Sequence, residues 1–147
     1  MKNNHRKQLL AVYGQLYTFD ARGDRYKCVY CGDVRECVDH VPPLTLVESK
    51  TPEALRDAGV MLITYPCCST CNEQLGSKPL ATYEERLIFL YNRYLDKADR
   101  QPMWQQWEID ELGGELKKLV LARQLQLRRE LLARIRGIEH NMGDIRT

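Results

Sequence analysis

The sequence has no long apolar run: nothing in its 147 residues approaches the roughly 20 that a membrane-spanning helix needs. A helical membrane protein is thereby excluded, and no membrane partner is expected. A large charge imbalance is also missing. The formal net charge is +2, so charge alone names no partner. Internal repeats and low-complexity tracts are absent, which leaves a repeat array or a disordered tail without support. Near Met1 the apolar stretch Leu9-Leu10-Ala11-Val12 is brief, and Gly14 and Gln15 interrupt it, so it does not read as a secretory signal. The expectation is a soluble, intracellular protein. What is present suits a packed fold: 44% of residues are hydrophobic, enough for the core of one ordinary domain.

Six cysteines carry most of the information. They form two clusters: Cys28, Cys31 and Cys37, then Cys67, Cys68 and Cys71. A small secreted chain would use them as disulfides; a reducing compartment and two C-x-x-C pairs favour a bound metal. Cys28-Val-Tyr-Cys31 and Cys68-Ser-Thr-Cys71 each present two thiolates from a tight knuckle turn. Two knuckles complete a tetrahedral four-thiolate site, the arrangement of structural zinc. Cys37 and Cys67 are left over. Cys67 competes with Cys68 as a ligand, but its spacing to Cys71 is the less usual one.

Between these pairs the pattern is mixed. Residues 3–18 suit an amphipathic helix, and Asp20-Ala-Arg-Gly-Asp24 a turn. Glu36 to Val41 reads as a strand stopped by Pro42-Pro43. Thr51-Pro52-Glu53 starts a brief helix ending at Gly59. Val60 to Tyr65 reads as a second strand ended by Pro66, followed by a short helix over 69–75. Thr82-Tyr-Glu-Glu85 is a capping box for a helix reaching about Lys97. From Gln105 to Ile138 the pattern is helical, weakened at Gly113-Gly114. That C-terminal segment is too apolar to stand uncovered. Either the zinc domain covers it or a second copy does, making a homodimer. Trp104 and Trp107 read as its hydrophobic anchors, and His5 and His140 as solvated.

Charge is uneven. Residues 115–147 hold eight Lys/Arg against four Asp/Glu, whereas residues 41–114 hold seven against eleven. On the C-terminal helix, Lys117 and Arg128, Lys118 and Arg129, and Arg123 and Arg134 lie eleven residues apart, close to three turns, and so form stripes. Such stripes are a solvated face or a phosphate-contact surface. Arg25, Lys27 and Arg35 flank the first knuckle and suit phosphate contacts.

The sequence Val38-Asp39-His40-Val41-Pro42 lies between the cysteine pairs, and Asn72 follows the last cysteine. On a strand, Asp39 and His40 point to opposite faces. Asp39 can meet a divalent cation, with Asn72 supplying a second, neutral oxygen ligand. A hard cation with few protein ligands keeps open positions for phosphate oxygens. His40 can then serve as the general base that takes a proton from the attacking water.

The order C-x-x-C, Asp-His-Val-x-Pro, C-x-x-C-Asn, with Gly76 following, resembles the HNH (ββα-metal, or His-Me finger) endonucleases. Within that group it is similar to zinc-stapled phage members of the endonuclease-VII type. The resemblance spans about Lys27 to Lys78. It implies structural zinc on Cys28, Cys31, Cys68 and Cys71, and a catalytic cation (Mg²⁺ or another divalent ion) on Asp39 and Asn72. It makes His40 the base and DNA the partner, in the cytoplasm of a bacterial or phage-infected cell. Val60 to Pro66 holds no asparagine to orient the base, so that task falls to Thr64 or a backbone carbonyl. The expected fold is α+β: an N-terminal helix and turn over 1–26, a zinc-stapled ββα domain over 27–80, and a helical region over 81–147 with a long final helix. The rival reading is a non-catalytic zinc module of the same fold that binds nucleic acid or a protein, as a phage regulator or anti-defence protein would. A third is a helical assembly protein.

Overall fold

The computed structural model describes residues 2–100 and 106–146. The chain is α+β, with a small sheet embedded among helices. Strand β1 is Thr18–Phe19, β2 is Cys37–Val41 and β3 is Ile63–Cys67. Their order is β1-β3-β2, with β1 parallel and β2 antiparallel to the central β3. The helices are α1 (Lys2–Tyr13), α2 (Leu44–Lys50), α3 (Pro52–Asp57), α4 (Ser69–Leu75), α5 (Tyr83–Arg100), α6 (Gln106–Asp110) and α7 (Gly114–Arg146). Strands β2 and β3 followed by α4 make the expected ββα unit, with helices on both sides. No helix among the described residues is long and apolar enough to cross a membrane.

The local signals explain most boundaries. Thr51 Oγ1 accepts from the Ala54 amide at 3.3 Å with Pro52 at the first helical position, which starts α3. Thr82 Oγ1 accepts from the Glu85 amide at 3.2 Å, and the Glu85 carboxylate reaches back to the Ala81 amide at 3.1 Å. The Gly113-Gly114 weakness separates α6 from α7.

Four expectations need correction. The first helix stops at Tyr13 rather than running to residue 18; a single 3-10 turn, Gly14–Leu16, follows, and Thr18–Phe19 joins the sheet. The Thr18 amide donates to the Leu62 carbonyl at 3.0 Å and the Asp20 amide to the Thr64 carbonyl at 2.9 Å, so the open edge of β3 recruits this stretch. Pro66 does not end β3. It pairs with Val38, and its carbonyl turns away from β2 to accept from the Val29 amide at 2.9 Å. Its missing N–H faces that same outer side and removes no β2–β3 hydrogen bond. The insert after Pro42-Pro43 holds an additional helix, α2, which buries Leu44 and Val47 and packs against α1, where Leu9 is buried. Trp104 lies outside the described residues, and Trp107 is 63% exposed, so it anchors nothing; Ile109, 3% exposed, takes the inward position of α6.

One core cluster joins the first knuckle (Cys28 to Cys31), the sheet residues Val41 and Tyr65, Leu75 of α4, Leu87 and Leu90 of α5, and Ile135 and Ile138 of α7. Segments 27–80 and 81–147 therefore share a core. The C-terminal end of α7 packs on the protein, while Leu116, Leu119 and Leu125 nearer its start are exposed.

Candidate functional site

Cys28, Cys31, Cys68 and Cys71 are all buried, and their sulfurs all lie within 4.8 Å of one another. A tetrahedral ion with metal–sulfur bonds of about 2.3 Å sets its sulfurs about 3.8 Å apart. The 3.6 Å between the sulfurs of Cys31 and Cys68 matches that edge. Local structure builds the cluster. The first knuckle closes where the Gly32 amide donates to the Cys28 carbonyl at 3.0 Å, and Gly32 supplies the φ of 81° that the turn needs. In the second, Cys68 caps α4, its sulfur accepting from the Cys71 amide at 3.4 Å. The crowded thiols shift one another: hydrogen bonds from its neighbours drive Cys28 far down, while the same bonds push Cys71 far up. These four residues can hold a metal ion.

Cys67 is excluded from the set because it ends β3, where its thiol donates to the Cys68 carbonyl at 3.3 Å. Cys37 pairs with it across the sheet and donates to the Cys67 carbonyl at 3.3 Å. Among the described residues, no other group of His, Cys, Asp or Glu is arranged to hold a metal.

Strand alternation separates Asp39 from His40. The Asp39 side chain is buried and turned toward α5. Arg86 Nη1 donates to both of its carboxylate oxygens at 2.9 Å, and the Tyr30 hydroxyl donates to it as well. Burial pushes the Asp39 carboxyl above its ordinary value, and Arg86 and Tyr30 oppose that shift. A second cation at this carboxylate competes with Arg86 for its oxygens. The same guanidinium donates to the His40 carbonyl at 3.2 Å and, through Nε, to the Leu80 carbonyl at 2.9 Å. Arg86 was missed in the sequence. Its signal was a cation on the apolar face of α5, beside Tyr83, Leu87, Leu90 and Tyr94.

His40 is half-buried and lines a cavity of about 630 Å³ together with Asn72 of α4, Ser77, and His5 and Arg6 of α1. Asp39 also borders it. The ring of Tyr17 meets the His40 ring edge-on, with centroids 4.8 Å apart, while the Tyr17 hydroxyl donates to the Pro42 carbonyl. Thr64 is the cross-strand partner of His40, the position expected to orient it. Burial holds the His40 ring below the usual histidine value, and Arg6 and Arg86 add to the shift. His5, expected to be solvated, faces Glu48 at 3.4 Å.

The five basic residues expected at phosphates are elsewhere. Arg25 and Lys27 are exposed beside the first knuckle, and Arg35 sits over the Phe19 ring at 5.1 Å. Lys118 and Arg129 are exposed on α7. None of the five lines the His40 cavity, whose cationic wall is Arg6.

No family model, no curated protein and no solved structure matches the chain. By its fold and site it is an α+β chain whose ββα unit carries both a buried four-cysteine cluster and a cavity lined by His40 and Asn72.

Proposed function

We propose that the chain is a zinc-stapled, metal-dependent endonuclease of the HNH type that hydrolyses DNA phosphodiester bonds. The observation that supports it most is the shared cavity of His40 and Asn72, built by β2 and α4 of one ββα unit. Cys28, Cys31, Cys68 and Cys71 hold zinc, whose preference for four thiolates suits this donor set. His40 is the general base: its neutral ring accepts the proton of the water that attacks phosphorus. Asn72 would offer an amide oxygen, and Asp39 a carboxylate oxygen, to a Mg²⁺ or similar divalent ion at the edge of this cavity. Held there, the ion would supply charge stabilisation for the phosphate and the leaving 3′ oxygen. Arg25, Lys27 and Arg35, with Lys118 and Arg129 on α7, are the phosphate contacts of the flanking DNA.

One observation favours the second reading, a zinc module that binds nucleic acid or a protein without cutting. Arg86 already bonds both oxygens of Asp39, which weakens that carboxylate as a ligand for a catalytic ion.

A cleavage assay on plasmid and branched DNA separates the two. Zinc-loaded protein with added magnesium, manganese or nickel is expected to cut. His40→Ala should lower the rate by about 10²- to 10⁴-fold with zinc content and fold unchanged. Asn72→Ala should raise the divalent-ion concentration needed. Folded, zinc-bound protein that fails to cut with any of these ions would overturn the endonuclease reading in favour of the binding one.

A further inference from the structure

The metal-site face of α7 is built, residue by residue, to fit the first knuckle. Arg134, Gly137, Ile138 and Asn141 fall on one helical face by spacing. Ile138 is fully buried. Arg134 Nη1 donates to the sulfurs of Cys31 at 3.2 Å and Cys68 at 3.1 Å, one from each cysteine pair. Its Nη2 donates to Asp33 at 3.0 Å. Asn141 Nδ2 donates to the carbonyls of Val29 at 3.0 Å and Tyr30 at 2.8 Å. Between them the backbones touch: a Cβ on Gly137 would lie 1.8 Å from the Cys31 carbonyl oxygen. Three successive knuckle residues, Val29, Tyr30 and Cys31, therefore meet about two turns of α7.

The charges make this contact conditional. Four thiolates around a divalent ion keep a net negative charge, and Arg134 is the cation that touches two of those sulfurs. With that charge in place, a partly buried guanidinium has strong acceptors. Without it, the same guanidinium loses them and costs free energy to bury.

We propose that Arg134, Gly137 and Asn141 make α7 part of the metal centre, so that ion retention and docking of α7 on the first knuckle are one coupled equilibrium. This rests on the four cysteines being a metal site and is independent of any cleavage. Arg134 is a positioning residue: it orients and neutralises the sulfurs that hold the ion. Coupling is reciprocal, so whatever loosens α7 loosens the ion.

The test uses the full chain loaded with zinc or cobalt(II). Arg134→Gln should weaken the ion's affinity in chelator competition by about 10- to 100-fold, the usual effect of losing an outer-shell partner. It should speed amide exchange over 131–142 and shift the cobalt–thiolate charge-transfer band, which a role limited to packing would leave in place. Asn141→Ala touches no sulfur, yet coupling predicts a smaller affinity loss in the same direction. Folded variants, verified by circular dichroism, that hold the ion as tightly as wild type would overturn the proposal. Wild-type protein that binds no ion would overturn the metal reading and this proposal together.

Discussion

Asp39 and His40 are adjacent in sequence and live in different environments, because a strand sends successive side chains to opposite faces. Asp39 is held inside by Arg86 and Tyr30, while His40 looks into the cavity. Burial lowers the basicity of the His40 ring, with Arg6 and Arg86 acting in the same direction. A lowered value keeps the ring neutral, and ready to accept a proton, at more acidic pH than an ordinary histidine. For the proposed cleavage, the acid limb of kcat/KM should therefore fall below about pH 6.5. A nearby divalent cation moves it further the same way. A limb above that value, measured from pH-rate profiles, would contradict His40 as the base in this setting. The four-cysteine cluster was legible in the sequence because its signal is a local spacing, and the opposite facing of Asp39 and His40 because a strand alternates. The partners of Arg86 and Arg134 were not: Arg134 reads as part of a solvated or phosphate-contact stripe, and the structure sets it on two sulfurs instead. Each finds its partner far along the chain, and only the fold shows that a buried carboxylate or a sulfur pair is waiting for it.

Between elements, the chain relies on a few polar joints set in the apolar core. The Asp39–Arg86 pair joins β2 to α5, with side chains 5% and 1% exposed. Breaking one side of a buried pair leaves the other charged and unpartnered, at a cost of about 3–5 kcal/mol. Arg86→Met should lower the urea-unfolding free energy of metal-loaded protein by about that amount. The double variant Asp39→Asn with Arg86→Met should recover part of it, because no lone charge then stays buried. An Arg86→Met variant as stable as wild type would show that the joint carries no stability. Element boundaries were read well where a cap or proline acts locally, as at α3 and α5. They were misread where a neighbour decides. Thr18–Phe19 is a strand only because β3 has an open edge there, and Pro66 stays within β3 only because its side of the strand needs no donor. Helix α2 carried no cap signal: Pro43 starts it without a side-chain hydrogen bond, and its helicity follows from burying Leu44 and Val47.

At the scale of the whole molecule, the four-cysteine cluster is where separate parts of the chain converge. It draws together the first knuckle and the end of β3 with α4. Tyr94 of α5 reaches the sulfur of Cys71 at 3.1 Å, and Arg134 of α7 reaches two more sulfurs. A bound ion at such a site is therefore the centre of the fold rather than an attachment. Structural zinc contributes about 10–16 kcal/mol in small metal-folded peptides, comparable with the about 5–15 kcal/mol that holds an entire domain folded. The most direct measurement is thermal melting of the metal-loaded protein and of the same protein after chelation, both in reducing buffer, followed by near-ultraviolet circular dichroism. A cooperative transition is expected with metal, and loss of the native aromatic signal and of that transition without it. A chelated protein that keeps its aromatic signal and melts at the same temperature would contradict it.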